Sequence, residues 1–379
     1  EDPFYTRLPA GRPKRPYARD AFYSTDVFGD YALDFLADAR RAKKPAFLYL
    51  AFNAPHFPLH ARPDDVRKYA DRYAGGWDQL RESRLKKQVE LGLFPASVRL
   101  TPRSGFTTRA DFLRRGDNPA WDTLPADRRA DLARRMAVYA AMVDRMDHAI
   151  GRVIDSLRAA NELDNTLVMF LSDNGACAEW DPFGFDGSSG PNNTLHTDDS
   201  LARMGGPGTY HSYGSGWANA GNAPFRLYKH YCHEGGIRTP FVVHWPARVA
   251  TRGAFRDQPG HVIDVLATCA AAAGAAYPRE RNGVAVTPTA GVSLLPAFAD
   301  RPLAREFLAW EHERNRAIRV GPWKLVAKAG AAWELYNLDA DPTELDDRAA
   351  AEPARVRELA ARWDDWAARN QVTPYPGKK

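Results

Sequence analysis

The sequence predicts an α/β fold, with a mixed, largely parallel sheet covered by helices, followed by a small C-terminal α+β unit built on an antiparallel sheet. Three observations predict it. Residues 45–52 (P-A-F-L-Y-L-A-F), 166–171 (T-L-V-M-F-L) and 240–244 (P-F-V-V-H) are short β-rich apolar runs bounded by Pro, Asn or Gly, the pattern of strands covered on both faces. Between the first two, Leu132, Met136, Tyr139, Val143, Met146, Ile150, Val153 and Leu157 recur at three- and four-residue steps and draw one apolar helical stripe. Near Gly291 the pattern shifts to short β-like pieces separated by turns.

Taken in order, residues 27–39 mix acidic and apolar positions as a covering helix does, and the strand at 45–52 follows. The long helix then leads to the strand at 166–171. Alternation of helix and strand argues for a sheet whose strands run largely parallel. A stretch of about fifty residues, 176–228, rich in Gly, Asn, Ser and Asp, shows no clear periodicity; connections of that size are uncommon in compact domains unless they serve function. The strand at 240–244 comes next, and the Ala-rich run 270–276 reads as the end of a helix. Residues 306–310, 317–320, 323–326 and 333–336 are the short β pieces, and 352–370 is a polar helix. The expected division is therefore residues 1–290 as a catalytic domain and 291–379 as a C-terminal subdomain.

Composition narrows the function classes. The 379 residues are 44% hydrophobic and 26% charged, enough apolar content to fill a core, which excludes disorder for most of the chain. No apolar run is long enough to cross a bilayer. Three scattered cysteines exclude a disulfide scaffold and lack the paired spacing of a zinc site. The net charge of +5 comes from 52 basic residues spread among 47 acidic ones, without the basic stripe and interleaved aromatics of a nucleic-acid binder, so no nucleic-acid partner is expected.

Three segments could carry chemistry. Ser172-Asp173-Asn174-Gly175 stands at the carboxyl end of a predicted strand, where ligands bind in open α/β sheets. Adjacent carboxylate and amide oxygens suit a hard cation, and Gly175 would let the backbone turn sharply beneath it, although Asp-Asn-Gly is equally a common turn. Asn53-Ala54-Pro55-His56-Phe57-Pro58 leaves the first predicted strand, and its two prolines keep His56 out of helix at the same sheet edge. Lys229 opens a segment that runs through His230, Cys232, His233 and Gly235-Gly236 into the strand at 240–244, and it offers a point charge for an oxyanion. A carboxylate–amide pair, a fixed histidine and a lysine beside three strands would form an anion-plus-divalent-cation site, suited to sulfuryl or phosphoryl transfer.

The strings A-P-H-F-P-L-H, G-W-D-Q-L-R, S-D-N-G, W-A-N-A-G-N-A-P-F-R-L-Y-K, H-E-G-G-I-R-T-P, H-W-P and W-E-L-Y-N-L occur in that order along nearly the whole chain. Together they resemble the arylsulfatases of the type I sulfatase family, within the alkaline-phosphatase superfamily. The resemblance implies Asp173 and Asn174 as two ligands of a Ca²⁺ ion, with Mg²⁺ as the alternative. It also implies that His56 contacts the sulfate ester and serves the leaving oxygen as an acid, and that Lys229 binds a sulfate oxygen. The substrate it implies is a small-molecule or glycan sulfate ester, and the location periplasmic or secreted, with the oligomeric state left open. Trp180, His196, His211, Tyr213 and Trp217 lie in the long connection; His211 and Trp217 in particular are expected at the substrate ring, with packing of the loop as the competing reading for each.

The chain also departs from the family. Relatives make a formylglycine nucleophile from the Cys or Ser of a C/S-x-P-x-R motif, and no such string occurs in these 379 residues. The formylglycine and further metal ligands are expected in an upstream segment, so an arylsulfatase lacking its amino-terminal part is the expectation, inactive as an isolated chain and with bare apolar sheet surface. Two other readings are a phosphodiesterase or phosphonate monoester hydrolase of the same superfamily, and a non-catalytic remnant that binds sulfated glycans.

Overall fold

The computed structural model describes residues 8–9, 11–107, 115–179, 181–190 and 192–372. Its first half contains α1 (Ser24–Arg41), α2 (Pro63–Arg67), α3 (Gly76–Glu90), β1 (Gly105–Thr107), β2 (Arg115–Asp117), α4 (Ala126–Ala159) and β3 (Val168–Leu171). Next come α5 (Asp198–Arg203), α6 (Gly214–Gly221), α7 (Glu234–Ile237), β4 (Phe241–His244), α8 (Asp264–Ala272), β5 (Glu280–Arg281), β6 (Val284–Ala285) and α9 (Leu295–Phe298). The chain closes on β7 (Leu308–His312), β8 (Asn315–Val320), β9 (Trp323–Ala327), β10 (Glu334–Asn337) and α10 (Pro353–Arg369). No helix among the described residues is long and apolar enough to cross a membrane.

The two covering helices form where periodicity places them. α1 packs on α4 through Ala32 and Leu36 against Val153 and Leu157, and Arg145 clamps Asp26 with bonds of 2.6 and 2.7 Å. The amino-terminal part of the α4 stripe is buried, with Leu132, Met136, Ala137 and Val138 in the main core. Its centre is not: Val143 is exposed, and with Met146 and Ile150 it lines an open groove.

That core gathers around three indoles. Trp77 on α3, Trp121 and Trp217 on α6 pack with ring centroids 4.8, 5.4 and 5.6 Å apart, two of the three pairs edge-to-face, the geometry the ring quadrupole favours. Each N–H is satisfied, by Pro119 O, Ala74 O and Leu132 O respectively. The long connection, expected to be structureless, thus carries core. Its helix α6, G-S-G-W-A-N-A-G, was invisible to periodicity because three glycines and an asparagine carry no apolar stripe, yet Trp217, Ala218 and Ala220 are fully buried.

The three predicted strands behave differently from expectation. β3 and β4 form, and they pair antiparallel, Val168 opposite His244 and Leu171 opposite Phe241. Residues 45–52 form no strand and belong to no ladder among the described residues. Nor is this region covered on both faces. Leu48 and Leu50 pack on the α1–α4 cluster and Phe52 on Phe28, while Phe47 and Tyr49 are 77% and 83% exposed. The run is apolar at every position, but only the alternate positions facing α1 and α4 meet a partner. Phe170 is exposed too, and in β4 the consecutive Phe241 and Val242 are both exposed, so that end of the pair is uncovered on both faces among the described residues.

The C-terminal elements sit where the sequence places them. Strands β7 to β10 form a four-stranded antiparallel meander in the order β10-β9-β8-β7. One face buries Ile318, Leu325 and Leu335 against Leu359, Trp363 and Ala367 of α10. The other packs Ala317, Val326 and Tyr336 against Cys232. A buried charge network joins this sheet to the site-bearing segment. Lys324 Nζ lies 2.7 Å from Glu234 Oε1 and 2.8 Å from Glu344 Oε1, all three side chains being at most 4% exposed. Glu344 Oε2 also accepts the Glu234 N–H at 2.9 Å.

Candidate active site

The loop carrying His56 hangs between two prolines, and Ala54–Pro55 and Phe57–Pro58 are both cis. The ring is exposed, rests on Phe57 with centroids 4.3 Å apart, and has Nδ1 2.8 Å from Phe57 O. A carbonyl only accepts, so Nδ1 carries the hydrogen. The other nitrogen, Nε2, lies 3.2 Å from Lys229 Nζ. An ammonium only donates, which makes Nε2 the acceptor and the imidazole the neutral Nδ1–H tautomer, an assignment made from partners. Two residues far apart in sequence are thus brought to one hydrogen bond.

Lys229 is held by its backbone, whose N–H donates to Ala176 O at 3.0 Å, just beyond the S-D-N-G string. Gly175 N–H donates to Gly236 O at 2.9 Å, and Thr239 Oγ1 donates to Ser172 O at 2.7 Å. The carboxyl end of β3 is therefore laced to the segment that carries Lys229. Gly175 was expected to turn sharply; its φ is not positive, and the position instead excludes a side chain because a Cβ would overlap Gly235 O. Asp173 is exposed and Asn174 half-buried, and the carboxylate and amide of this pair have no hydrogen-bond partner among the described residues, so their oxygens face the groove uncommitted. Such a pair is chemically suited to a hard cation. His56, Asp173, Asn174 and Lys229 all line one groove of about 3870 Å³.

His211 and Trp217 are not in that groove. Trp217, with no exposed surface and its N–H given to Leu132 O, has no free face for a substrate ring. His211 is 4% exposed and its Nδ1 bonds Asp186. Asp186 also accepts two 2.9 Å bonds from Arg135, one from Thr194 N–H at 2.7 Å, and contacts His196 Nε2 at 3.1 Å. These donors outweigh the cost of burial and hold its carboxyl well below the usual carboxylate range. Asp186, His196 and His211 have the spacing of a metal cluster, yet a guanidinium already occupies the position of the cation, and the group ties the long connection to α4. Trp180 lies outside the described residues, and Tyr213 is buried against Tyr139.

Sequence reasoning missed Glu179 and His230. Glu179 is buried and its Oε1 lies 3.1 Å from His230 Nε2. Burial opposes its charge, but the bond to His230, the field of His230 and that of Lys229 prevail and lower its pKa. Its place six residues after Asp173 gave a signal of proximity but none of role. The thiols are poor nucleophiles: burial pushes Cys177 and Cys232 up to about 12.

Comparison with known proteins gives the family. The N-sulphoglucosamine sulphohydrolase C-terminal model matches residues 225–362. An uncharacterized sulfatase of Schizosaccharomyces pombe is 35% identical over 94% of this chain and 63% of its own length. An arylsulfatase of Klebsiella aerogenes is 30% identical over 73% of this chain and 56% of its own. The chain thus spans less than two thirds of the length of these relatives. Among solved structures, BT4656 in complex with D-glucosamine-2-N,6-O-disulfate superposes with a TM-score of 0.54 at 18% identity, covering 95% of this chain and 72% of that one. Ps i-CgsB gives 0.55 at 23% identity over 92% and 56%. At these identities the likeness is one of fold, the alkaline-phosphatase-like fold of sulfatases. The ordered strings around His56, Asp173 and Lys229 fall in residues 3–275, which the model named Sulfatase matches and which make up well over half of the 379; the chain therefore belongs to the sulfatase family.

Proposed function

We propose that the complete protein hydrolyses sulfate monoesters, with an aryl or glycan alcohol as the leaving group, and that this chain supplies the part of the site that binds the sulfate and protonates the departing oxygen. The observation that carries the reading is the His56–Lys229 pair, 3.2 Å apart beside Asp173 and Asn174. In the reaction the bond between sulfur and the leaving oxygen breaks, an oxygen of water ends on the sulfate, and a proton goes to the departing alkoxide or phenoxide. Lys229 places an ammonium on a sulfate oxygen, and His56, once Nε2 has taken a proton from water and turned from Lys229 to the ester oxygen, gives that proton to the departing oxygen. Phe57 O fixes the His56 ring, so Nε2 and not Nδ1 faces the substrate.

Asp173 and Asn174 fit a hard divalent cation, Ca²⁺ in the first instance, because their oxygens have no other partner among the described residues and lie at the groove. Bound there, such an ion would supply positive charge to the sulfate oxygens. The formylglycine nucleophile of the family is proposed to come from outside residues 1–379, since the three cysteines lie outside a C/S-x-P-x-R motif and two of them are pushed to about 12 by burial. The isolated chain is accordingly proposed to be inactive. Residues 291–379 act in this reading as the subdomain that buttresses the Lys229 segment.

The experiment is turnover of 4-nitrophenyl sulfate by the full-length protein with Ca²⁺. Expected are release of nitrophenol, a loss of about 10²- to 10⁴-fold in kcat/KM for His56→Ala and for Lys229→Ala, and no turnover by residues 1–379 alone. Faster turnover of an aryl phosphate diester than of the sulfate would move the reading to phosphodiester chemistry. Full activity in both variants would remove its basis.

A further inference from the structure

His230 follows Lys229 directly and is the best-clamped histidine of the site, although nothing in the proposed chemistry uses it. Its backbone stands at φ 83°, a left-handed conformation that a side chain with a Cβ holds only when its surroundings enforce it. The surroundings come from two directions. From the β3 side, Glu179 Oε1 meets Nε2 at 3.1 Å. From the C-terminal sheet, the turn between β7 and β8 closes on the residue with three contacts. Glu313 Oε2 lies 3.0 Å from Nδ1, Asn315 Nδ2 donates to the His230 carbonyl at 2.9 Å, and the His312 ring stacks on the imidazole with centroids 5.7 Å apart. Asn315 is itself fixed, since its Nδ2 also donates to His312 O and its Oδ1 accepts the Ala329 N–H.

We infer that His230, gripped between Glu179 and the β7–β8 turn through Glu313 and Asn315, is a positioning residue that aims Lys229 at His56. The inference rests on the proposed role of Lys229 in holding the sulfate. Its mechanical basis is the adjacency of the two residues. Residue 229 is tied through its N–H to Ala176 O, so the remaining freedom of its backbone lies on the carbonyl side, where His230 is locked. Releasing the lock lets the chain at 230 relax toward ordinary φ and swings the lysine stem away from the groove. Misplacement of a reacting group by about 1 Å can cost roughly a hundredfold in rate. The C-terminal subdomain thereby reaches the site without touching the substrate.

The test uses full-length protein carrying Glu179→Ala, Glu313→Gln and Asn315→Ala, with crystal structures of each and kinetics on an aryl sulfate. Glu313 is partly exposed, so Glu313→Gln folds even where the buried substitutions do not. Expected are loss of the Lys229 Nζ contact with His56 in at least Glu179→Ala and Asn315→Ala. A fall of about tenfold to a hundredfold in kcat/KM that appears mainly in KM is expected too, together with partial rescue by Glu179→Asp or by Asn315→Gln, which keeps the amide donor; a general loss of folding would not give it. Lys229 remaining on His56 Nε2 in all three variants overturns the positioning role, whatever the activity. Wild-type protein that neither turns over aryl sulfate nor binds sulfate by calorimetry instead overturns the proposed function, while the lysine geometry still decides the role of His230.

Discussion

The pair β3–β4 is apolar at almost every position and the sheet β7–β10 mixes apolar with charged positions, yet it is the second that is sealed and the first that is bare. In the C-terminal sheet Ile318, Leu325, Val326 and Leu335 have no exposed surface, because α10 covers one face and the Cys232 segment the other. In the β3–β4 pair Phe241 and Val242 are 38% and 56% exposed, and the run 45–52 likewise shows Phe47 and Tyr49 to solvent. A two-stranded ribbon is marginal alone, whereas a four-stranded meander with a helix closes its own core. The difference teaches that the sealed core and the proposed site lie in different parts of this chain, joined by the buried Glu234–Lys324–Glu344 network.

The substitution expected to break that contrast most sharply is Lys324→Met, which leaves Glu234 and Glu344 buried side by side. It should cost about 3–5 kcal/mol in chemical denaturation; a loss under about 1 kcal/mol would mean that the two glutamates are not held charged there. Leu335→Ala, a truncation in the sealed sheet, is expected to cost about 2–5 kcal/mol by the same measurement.

Acid should act on the sealed side next. Burial holds the imidazole of His233 below its ordinary value, so the folded state resists the proton that the unfolded chain takes up. For Glu334 burial opposes the charge, but the bond to His233 and the field of Arg226 outweigh it and lower its carboxyl below the usual range. Both groups bind protons more tightly when unfolded. Stability is therefore full above the unfolded histidine value of about 6.5, begins to fall below it, and falls more steeply through the carboxylate range near pH 4. Lys324 shifts the other way, since the two glutamates overcome burial and raise it, and its contribution is lost only as pH rises beyond the ordinary lysine value of about 10.4. Thermal melts between pH 3 and 9 check the sign, and His233→Gln should flatten the upper part of the decline. The smallest effect belongs to the bare side. Val242→Thr and Tyr49→Ser should change stability by no more than about 0.5 kcal/mol while reducing self-association in sedimentation velocity.

The fold was legible wherever an element answers to its own periodicity. The α4 stripe from Leu132 to Leu157, the α1 helix, and the pieces that become β7 to β10 and α10 all stand where spacing places them. The S-D-N-G string, His56 and Lys229 were legible as separate weak signals, and only the fold brings the loop that carries His56 to the turns that leave β3 and enter β4. Trp217 was misread for a physical reason: an aromatic in a Gly-rich stretch gives the same local pattern whether it waits for a ligand or fills a core. Its neighbours Trp77 and Trp121 come from α3 and the turn before α4, far away in sequence.

By itself the sequence determined the family and the conformation of the elements that carry a clear apolar period, because side-chain period and ordered strings are properties of neighbouring residues. Tertiary structure alone decided which apolar faces are covered, that residues 45–52 stay unpaired among the described residues, and that Glu179 and Glu313 converge on His230. Apolar spacing states which face prefers to be buried. Whether another element stands there to bury it depends on contacts between distant parts of the chain, and these carry no local signature.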